Sequence, residues 1–268
     1  MAMEASDDRP PSEADRMDLV AAREALARSL WLPSPESAPA SEKELPPESN
    51  TLMAVAEGWN PCNATFHAID KDYPGLRQIH DSPPLYVVDN FLSSAECQDI
   101  ISRATRKIFR PSLANADGGV NLNHVSRSQS EVAWEDIPSC AGKVAALTGV
   151  LTEDMRAKLQ IGRYFGSMFM GVHSDAYDLT TEEGRHIVRK RGQRYCSVLM
   201  YLNDVETGGA TWFPVINLRV QPKKGQALVF FSATMDGTLD PRTVHASEEA
   251  VDTKYIALAL VTRNPFEE

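Results

Sequence analysis

The chain has 268 residues, 43% of them hydrophobic, and a formal net charge of −10, which allows one large or two small domains with a sizeable core. So acidic a balance argues against unaided binding to nucleic acid or to an anionic membrane, since either selects a basic surface. Cys62, Cys97, Cys140 and Cys196 show no Cys-x-x-Cys spacing, which speaks against a zinc site or a dense disulfide framework and for free core thiols.

Residues 1–13 are polar, acidic and Pro-containing and read as disordered. They carry no basic stretch followed by an apolar one, so no secretory signal is visible. The expected setting is cytoplasmic, or a secretory-pathway lumen if a leader has been removed. No apolar run reaches the length of a membrane span, and the Asn63-Ala64-Thr65 sequon is then a chance match. Over residues 14–30 apolar positions recur near helical spacing, predicting one amphipathic helix that packs on its own domain. Residues 33–47, rich in Pro, Ser, Ala and Glu, read as a linker. Residues 1–50 are thus an N-terminal extension. Residues 51–83 are a connecting segment whose Trp59, Phe66 and Tyr73 follow no period and receive no role, and 84–268 form the main domain.

The main domain opens with a strand over 84–89. Ser93 followed by Glu96 then makes a capping box for a helix over about 94–106. A turn cluster at 115–119 sits in a loop spanning about 111–130, in or near which Arg127 and Trp134 stand out. Residues 135–147 read as a helix interrupted by Pro138, and 158–165 as a strand. Residues 178–192, with their Thr-Thr-Glu-Glu-Gly and Arg-Lys-Arg-Gly runs, read as a solvated hairpin excursion. Short strands follow over 195–202, 211–213, 218–221, 227–231, 243–246 and 255–261, separated by Gly and Pro turns. Many short strands punctuated in this way predict a mainly β (α+β) chain, a double-stranded β-helix or jelly roll with flanking helices.

Within this pattern His173-Ser174-Asp175 carries the chemistry. An imidazole and a carboxylate two residues apart on extended chain point the same way and can hold one metal ion from one side. A second histidine from far along the chain completes a two-His-one-carboxylate face that leaves positions open on a non-haem Fe(II). His245 is the candidate. His67, His80, His124 and His186 lack that context.

Three further blocks are distinctive: Leu199-Met200-Tyr201-Leu202-Asn203-Asp204-Val205 followed by Gly208-Gly209-Ala210-Thr211-Trp212-Phe213-Pro214, the Pro222-Lys223-Lys224-Gly225-Gln226-Ala227-Leu228 turn and strand, and the His245…Lys254 pair. With the His-x-Asp segment they make residues 84–263 similar to the 2-oxoglutarate- and Fe(II)-dependent dioxygenases of the prolyl 4-hydroxylase type. The resemblance implies Fe(II) held by His173, Asp175 and His245, and 2-oxoglutarate as co-substrate. Lys254 is then expected on its distal carboxylate, with Tyr164 and Ser197 as co-substrate contacts. Dioxygen is the oxidant and ascorbate the reductant. The loop carrying Arg127, with Trp134 beyond it, resembles a lid facing the substrate. Lys254 follows His245 by nine residues, one fewer than the resemblance leads one to expect, and residues 246–250 replace a Gly-containing stretch, which leaves Arg263 as a fallback anion partner. The carboxylate at Asp175 implies a hydroxylase, since related halogenases carry a small residue there. Arg194, Asn203 and Asp204 read as structural.

The implied reaction is hydroxylation with decarboxylation of 2-oxoglutarate to succinate, most readily on peptidyl proline. Two alternatives stand beside it: oxidation of a free amino acid or a small-molecule natural product, and a catalytically silent binding module that has kept the fold. The oligomeric state is not specified by the sequence.

Overall fold

In the computed structural model the described residues are 64–112, 127–152, 155, 157–166 and 168–263. The chain divides into compact units at 1–44 and 45–268, and every described residue belongs to the second. The amphipathic helix, the linker, Cys62, His124 and the 115–119 turn cluster lie outside the described residues.

The described strands are β1 (Leu76–His80), β2 (Leu85–Val88), β3 (Arg110–Ser112), β4 (Arg127–Val132), β5 (Leu159–Tyr164), β6 (Met170–His173), β7 (Gln193–Tyr201), β8 (Thr211–Phe213), β9 (Leu218–Val220), β10 (Ala227–Phe230), β11 (His245–Ser247) and β12 (Lys254–Arg263). They form an eight-stranded sheet in the order β1-β2-β10-β7-β12-β5-β4-β3 and a four-stranded sheet in the order β6-β11-β8-β9. Every recorded strand pair is antiparallel. This is the jelly roll expected from the evenly punctuated short strands.

Period-two alternation explains the layering. Along β7, Cys196, Val198 and Met200 join the cluster that also holds Cys97, Ile100, Val144 and Leu147. Leu199 and Tyr201 join the opposite cluster, with Phe213 and Val220 of the smaller sheet. The first group packs under α1 (Ser94–Thr105) and α2 (Pro138–Thr148). A strand covered on both faces reads as a nearly unbroken apolar run, and only Arg194 of β7 falls short of full burial. Phe213 and Phe230 meet edge-on across the interior, ring centroids 5.3 Å apart at 79°, a geometry that contributes about 0.5–1.5 kcal/mol beyond the area it buries.

The structure departs from expectation in four places. Leu76–His80, inside the stretch given no role, is the edge strand of the larger sheet and pairs with β2. Pro138 does not interrupt a helix. It sits in the first turn of α2, where its missing N–H costs nothing, after a separate 3-10 turn at Trp134–Asp136. The ends of the 111–130 loop belong to β3 and β4, and residues 113–126 are outside the described set. Residues 178–192 hold a helix, α3 (Glu182–Arg191), in place of a hairpin. Thr181 accepts from the Gly184 amide at 3.0 Å, and a Cβ on Gly184 would lie 1.9 Å from Asp178 O, so only glycine lets the helix start there. Glu182 and Glu183 open α3 and Arg189, Lys190 and Arg191 close it, the order the helix dipole favours.

Candidate metal centre

The antiparallel register of β6 and β11 sets His173 directly opposite His245, with ring centroids 4.4 Å apart. Asp175 lies two residues beyond the end of β6 and is buried. Its Oδ1 is 3.9 Å from His173 Nε2 and its Oδ2 is 3.9 Å from His245 Nε2. One ligand atom from each of the three lies within 4.8 Å of the others.

The imidazole tautomers follow from the backbone. His173 Nδ1 lies 2.9 Å from Gly171 O and His245 Nδ1 lies 3.1 Å from Thr243 O. A carbonyl only accepts, so each Nδ1 carries a proton, and each Nε2 is the nitrogen turned toward the carboxylate. Although 21% of its side-chain surface stays open, His173 is brought down to about 4 by its enclosure, and the His245 imidazole adds to the fall, so it is neutral at physiological pH. Burial pushes the Asp175 carboxyl up, but His245, His173, the Ser197 hydroxyl and Arg194 outweigh it and hold the group below the usual carboxylate range. Two imidazole Nε2 atoms and one carboxylate converging on one point are the donor set of a divalent transition metal, and they fit Fe(II).

The supporting contacts refine the sequence expectation. The resemblance puts Ser197 at the co-substrate. In the structure its hydroxyl donates to Asp175 Oδ2 at 2.6 Å and so orients a metal ligand. Arg194, read as structural, donates to Asp175 O at 3.1 Å and stacks 4.6 Å from the Tyr177 ring centroid. Asn203 is structural as expected: its side chain accepts from the Tyr255 amide and donates to Thr253 O.

Lys254 opens β12 directly opposite Tyr164 on β5. It is buried. Its Nζ donates to Gly209 O at 2.6 Å and to Ser247 Oγ at 2.8 Å, leaving one proton unplaced. The shortened 246–250 segment therefore does not displace it. Gly208, at φ 73, makes this possible: a Cβ there would lie 2.1 Å from Glu249 O, so only glycine lets the two segments lie together. Burial lowers the Lys254 ammonium to about 7, with Arg127 adding to the fall. Nearby, Tyr201 and Thr211 share a hydrogen bond of 2.8 Å between their hydroxyls. Ser247 and Thr211 were not singled out in the sequence. The readable signal for Ser247 is its place two residues after His245, hence on the same face of the strand.

Arg127 reaches this pocket, and its Nη1 donates to Tyr164 Oη at 3.2 Å. Trp134 does not. Its indole donates to Ala157 O at 2.7 Å and packs on the helix-side cluster, the opposite face of the larger sheet, so its role is structural. Arg263 ends β12 beside Gln193, nine residues from Lys254, and cannot replace it.

Residues 159–260 match the family model of the 2OG-Fe(II) oxygenase superfamily. Among curated relatives, "Probable prolyl 4-hydroxylase 8" of Arabidopsis thaliana is 29% identical over 195 residues, covering 63% of this chain and 65% of the relative. "Prolyl 4-hydroxylase 1" of the same plant is 28% identical over 200 residues, covering 63% and 65%. The chain thus spans just under two thirds of the length of these relatives. The crystal structure of a viral collagen prolyl hydroxylase from Paramecium Bursaria Chlorella virus-1, a 2OG complex, superposes with a TM-score of 0.52 at 24% identity, over 66% of this chain and 94% of that one. This last likeness establishes the shared fold.

Proposed function

We infer, from a chain whose residues 159–260 match the family model of the 2OG-Fe(II) oxygenase superfamily, that the protein is a dioxygenase of the prolyl 4-hydroxylase type. In the proposed reaction a substrate C–H, 2-oxoglutarate and O2 give the C–OH product, succinate and CO2. The observation that carries this reading is the convergence of His173, Asp175 and His245 within 4.8 Å, on the interior that also buries Lys254 with no carboxylate bonded to it among the described residues. A metal-binding scaffold alone has no use for that lysine.

His173 Nε2, His245 Nε2 and an Asp175 carboxylate oxygen would hold the Fe(II). When bound, the metal and the 2-oxo acid together supply dioxygen activation and hydroxylation. The protein's residues set the geometry. Three ligands on one side would leave positions open on the metal for the 2-oxo acid and dioxygen. Ser197 fixes the carboxylate, the backbone carbonyls at Gly171 and Thr243 fix the rings, and Phe213 and Phe230, with ring centroids 5.6 and 4.7 Å from that of His245, shield that side of the site from water. Lys254 supplies the charge for the distal carboxylate. Because position 175 is a carboxylate, the site delivers hydroxyl rather than halide.

Peptidyl proline is the proposed substrate, supported by the prolyl 4-hydroxylase names of the relatives. A cytoplasmic setting belongs to the same reading and is supported by Cys97, Cys140 and Cys196, all buried free thiols. The test is succinate formation from 2-oxoglutarate with Fe(II) and ascorbate, with and without a proline-rich peptide, in wild type and Asp175→Ala. Peptide-stimulated turnover lost in the variant supports the whole proposal. Turnover indifferent to peptide keeps the chemistry and moves the substrate to free amino acids or other small molecules. Iron-loaded wild type with no turnover leaves a fold-retaining binding module.

A further inference from the structure

Arg127 is a cation in the co-substrate pocket that the reaction as derived does not use. Its stem crosses the inner face of β5 over Gly162, where an added Cβ would come within 3.3 Å of Arg127 Cδ. Its guanidinium ends on Tyr164 Oη, and its Nε is buried without a hydrogen-bond partner. Among the described residues no carboxylate pairs with it. The acid nearest in effect to Lys254, Glu248, is tied to Arg219 at 2.7 Å.

Hydrogen-bond direction then decides what Arg127 does. A guanidinium only donates, so Tyr164 Oη must accept. A phenol oxygen that accepts from a cation turns its own proton elsewhere and gives it up more strongly as a donor. Lys254, opposite Tyr164 in the strand register and with its Nζ 5.0 Å from the Tyr164 ring centroid, keeps one proton unplaced. Ser247, accepting from Lys254, likewise keeps its own O–H free. A phenol, an ammonium and a hydroxyl, all left as donors, complement a group that only accepts, and a carboxylate is that group.

We propose that Arg127 is a positioning residue for the co-substrate: by donating to Tyr164 it commits the phenol proton to the distal carboxylate that Lys254 holds. The inference rests on the dioxygenase reading for the identity of the anion. It departs from the sequence expectation, which sets Arg127 against the substrate.

The test is calorimetric titration of 2-oxoglutarate into the full chain loaded with Mn(II), a measurement that needs no turnover. Arg127→Gln and Tyr164→Phe are each expected to weaken binding about tenfold, and the double variant to be no weaker than Tyr164→Phe alone by more than about twofold, because the arginine acts through the phenol. Arg127→Lys, which still donates, restores most of the affinity, whereas a merely structural loss would not be rescued. Circular dichroism and the melting temperature check the fold of each variant. Unchanged 2-oxoglutarate affinity in Arg127→Gln overturns the inference alone, as do losses that simply multiply in the double variant. Wild type that binds Mn(II) but not 2-oxoglutarate overturns the dioxygenase reading and the inference with it.

Discussion

Lys254 is a buried cation that costs the fold stability. Burying an ammonium whose hydrogen-bond partners among the described residues are a carbonyl and a hydroxyl is unfavourable until an anion arrives. Burial takes its pKa from 10.5 to about 7, and the sign for stability follows. Between about 7 and 10.5 the unfolded chain holds a proton that the folded chain has released, so stability rises with pH across that window and the penalty is complete below it. Co-substrate binding reverses the preference by favouring the charged lysine. Affinity for 2-oxoglutarate should therefore fall as pH rises above 7, by up to about tenfold per unit, with proton uptake visible when the heat of binding is compared in buffers of different ionisation enthalpy. Lys254→Met should cost at least about thirtyfold in affinity while leaving the melting temperature equal or higher. Ser197→Ala, which frees the Asp175 carboxylate, should weaken Mn(II) binding about 10–100-fold, as read by titration followed by electron paramagnetic resonance. His-x-Asp spacing and the Lys254 block made the converging triad and the buried lysine legible. The second role of Ser197 and the Arg127–Tyr164 contact were not, because each depends on which strand lies beside which, and register is not written in a local pattern.

Elements were legible where one face is apolar and illegible where almost nothing is buried. In α3 only Gly184 and Val188 are buried, so no 3.6-residue period exists to read, and Gly184 in its first turn and Gly192 just past its end look like turn residues. The usable signals were the cap at Thr181 and the acid-to-base order of its charges. In β1, Leu-Arg-Gln-Ile-His has no alternation because an edge strand buries little of either face. The capping box on α1, by contrast, was readable and turns out to join two helices. Glu96 accepts from the Ser93 amide and hydroxyl, from Ser139 Oγ, and from Lys143 Nζ of α2 at 2.6 Å. Burial alone would raise its pKa, but Lys143, Ser139 and Ser93 bring it from 4.5 to about 2. A depressed carboxylate contributes stability that is complete above 4.5 and lost as pH falls toward 2. Glu96→Ala should therefore destabilise by about 1–2 kcal/mol at pH 7. Urea unfolding repeated at pH 3 should show the gap to wild type narrowing, and a gap independent of pH would mean that packing, not charge, is what Glu96 supplies.

At the scale of the molecule, the two sheets divide the chemistry. His173 and His245 stand on the smaller sheet, while Tyr164, Lys254 and Ser197 stand on the larger. Asp175 is the link, a ligand beside the smaller sheet hydrogen-bonded to a strand of the larger, and Ser247 of β11 against Lys254 of β12 is a second link. A metal with a chelating 2-oxo acid would therefore tie the sheets together through both. Neither ligand would do this alone, since the metal would sit at the triad and the distal carboxylate at Lys254. Ligands that bind only the folded state stabilise it by about 2.7 kcal/mol at a hundred times their dissociation constant. For a domain of this size that is a rise in melting temperature of about 5–10 °C. The expected pattern is a modest rise with Mn(II), almost none with 2-oxoglutarate alone, and a rise with both that exceeds the sum, since on the proposed reading the metal would hold the 2-oxo end and Lys254 the other. Asp175→Ala should abolish the rise from the pair, whereas Lys254→Met should keep the Mn(II) rise and lose the increment from 2-oxoglutarate. An equal rise with 2-oxoglutarate in metal-free protein would show that the anion pocket works independently of the triad and that the two sheets are not coupled through it.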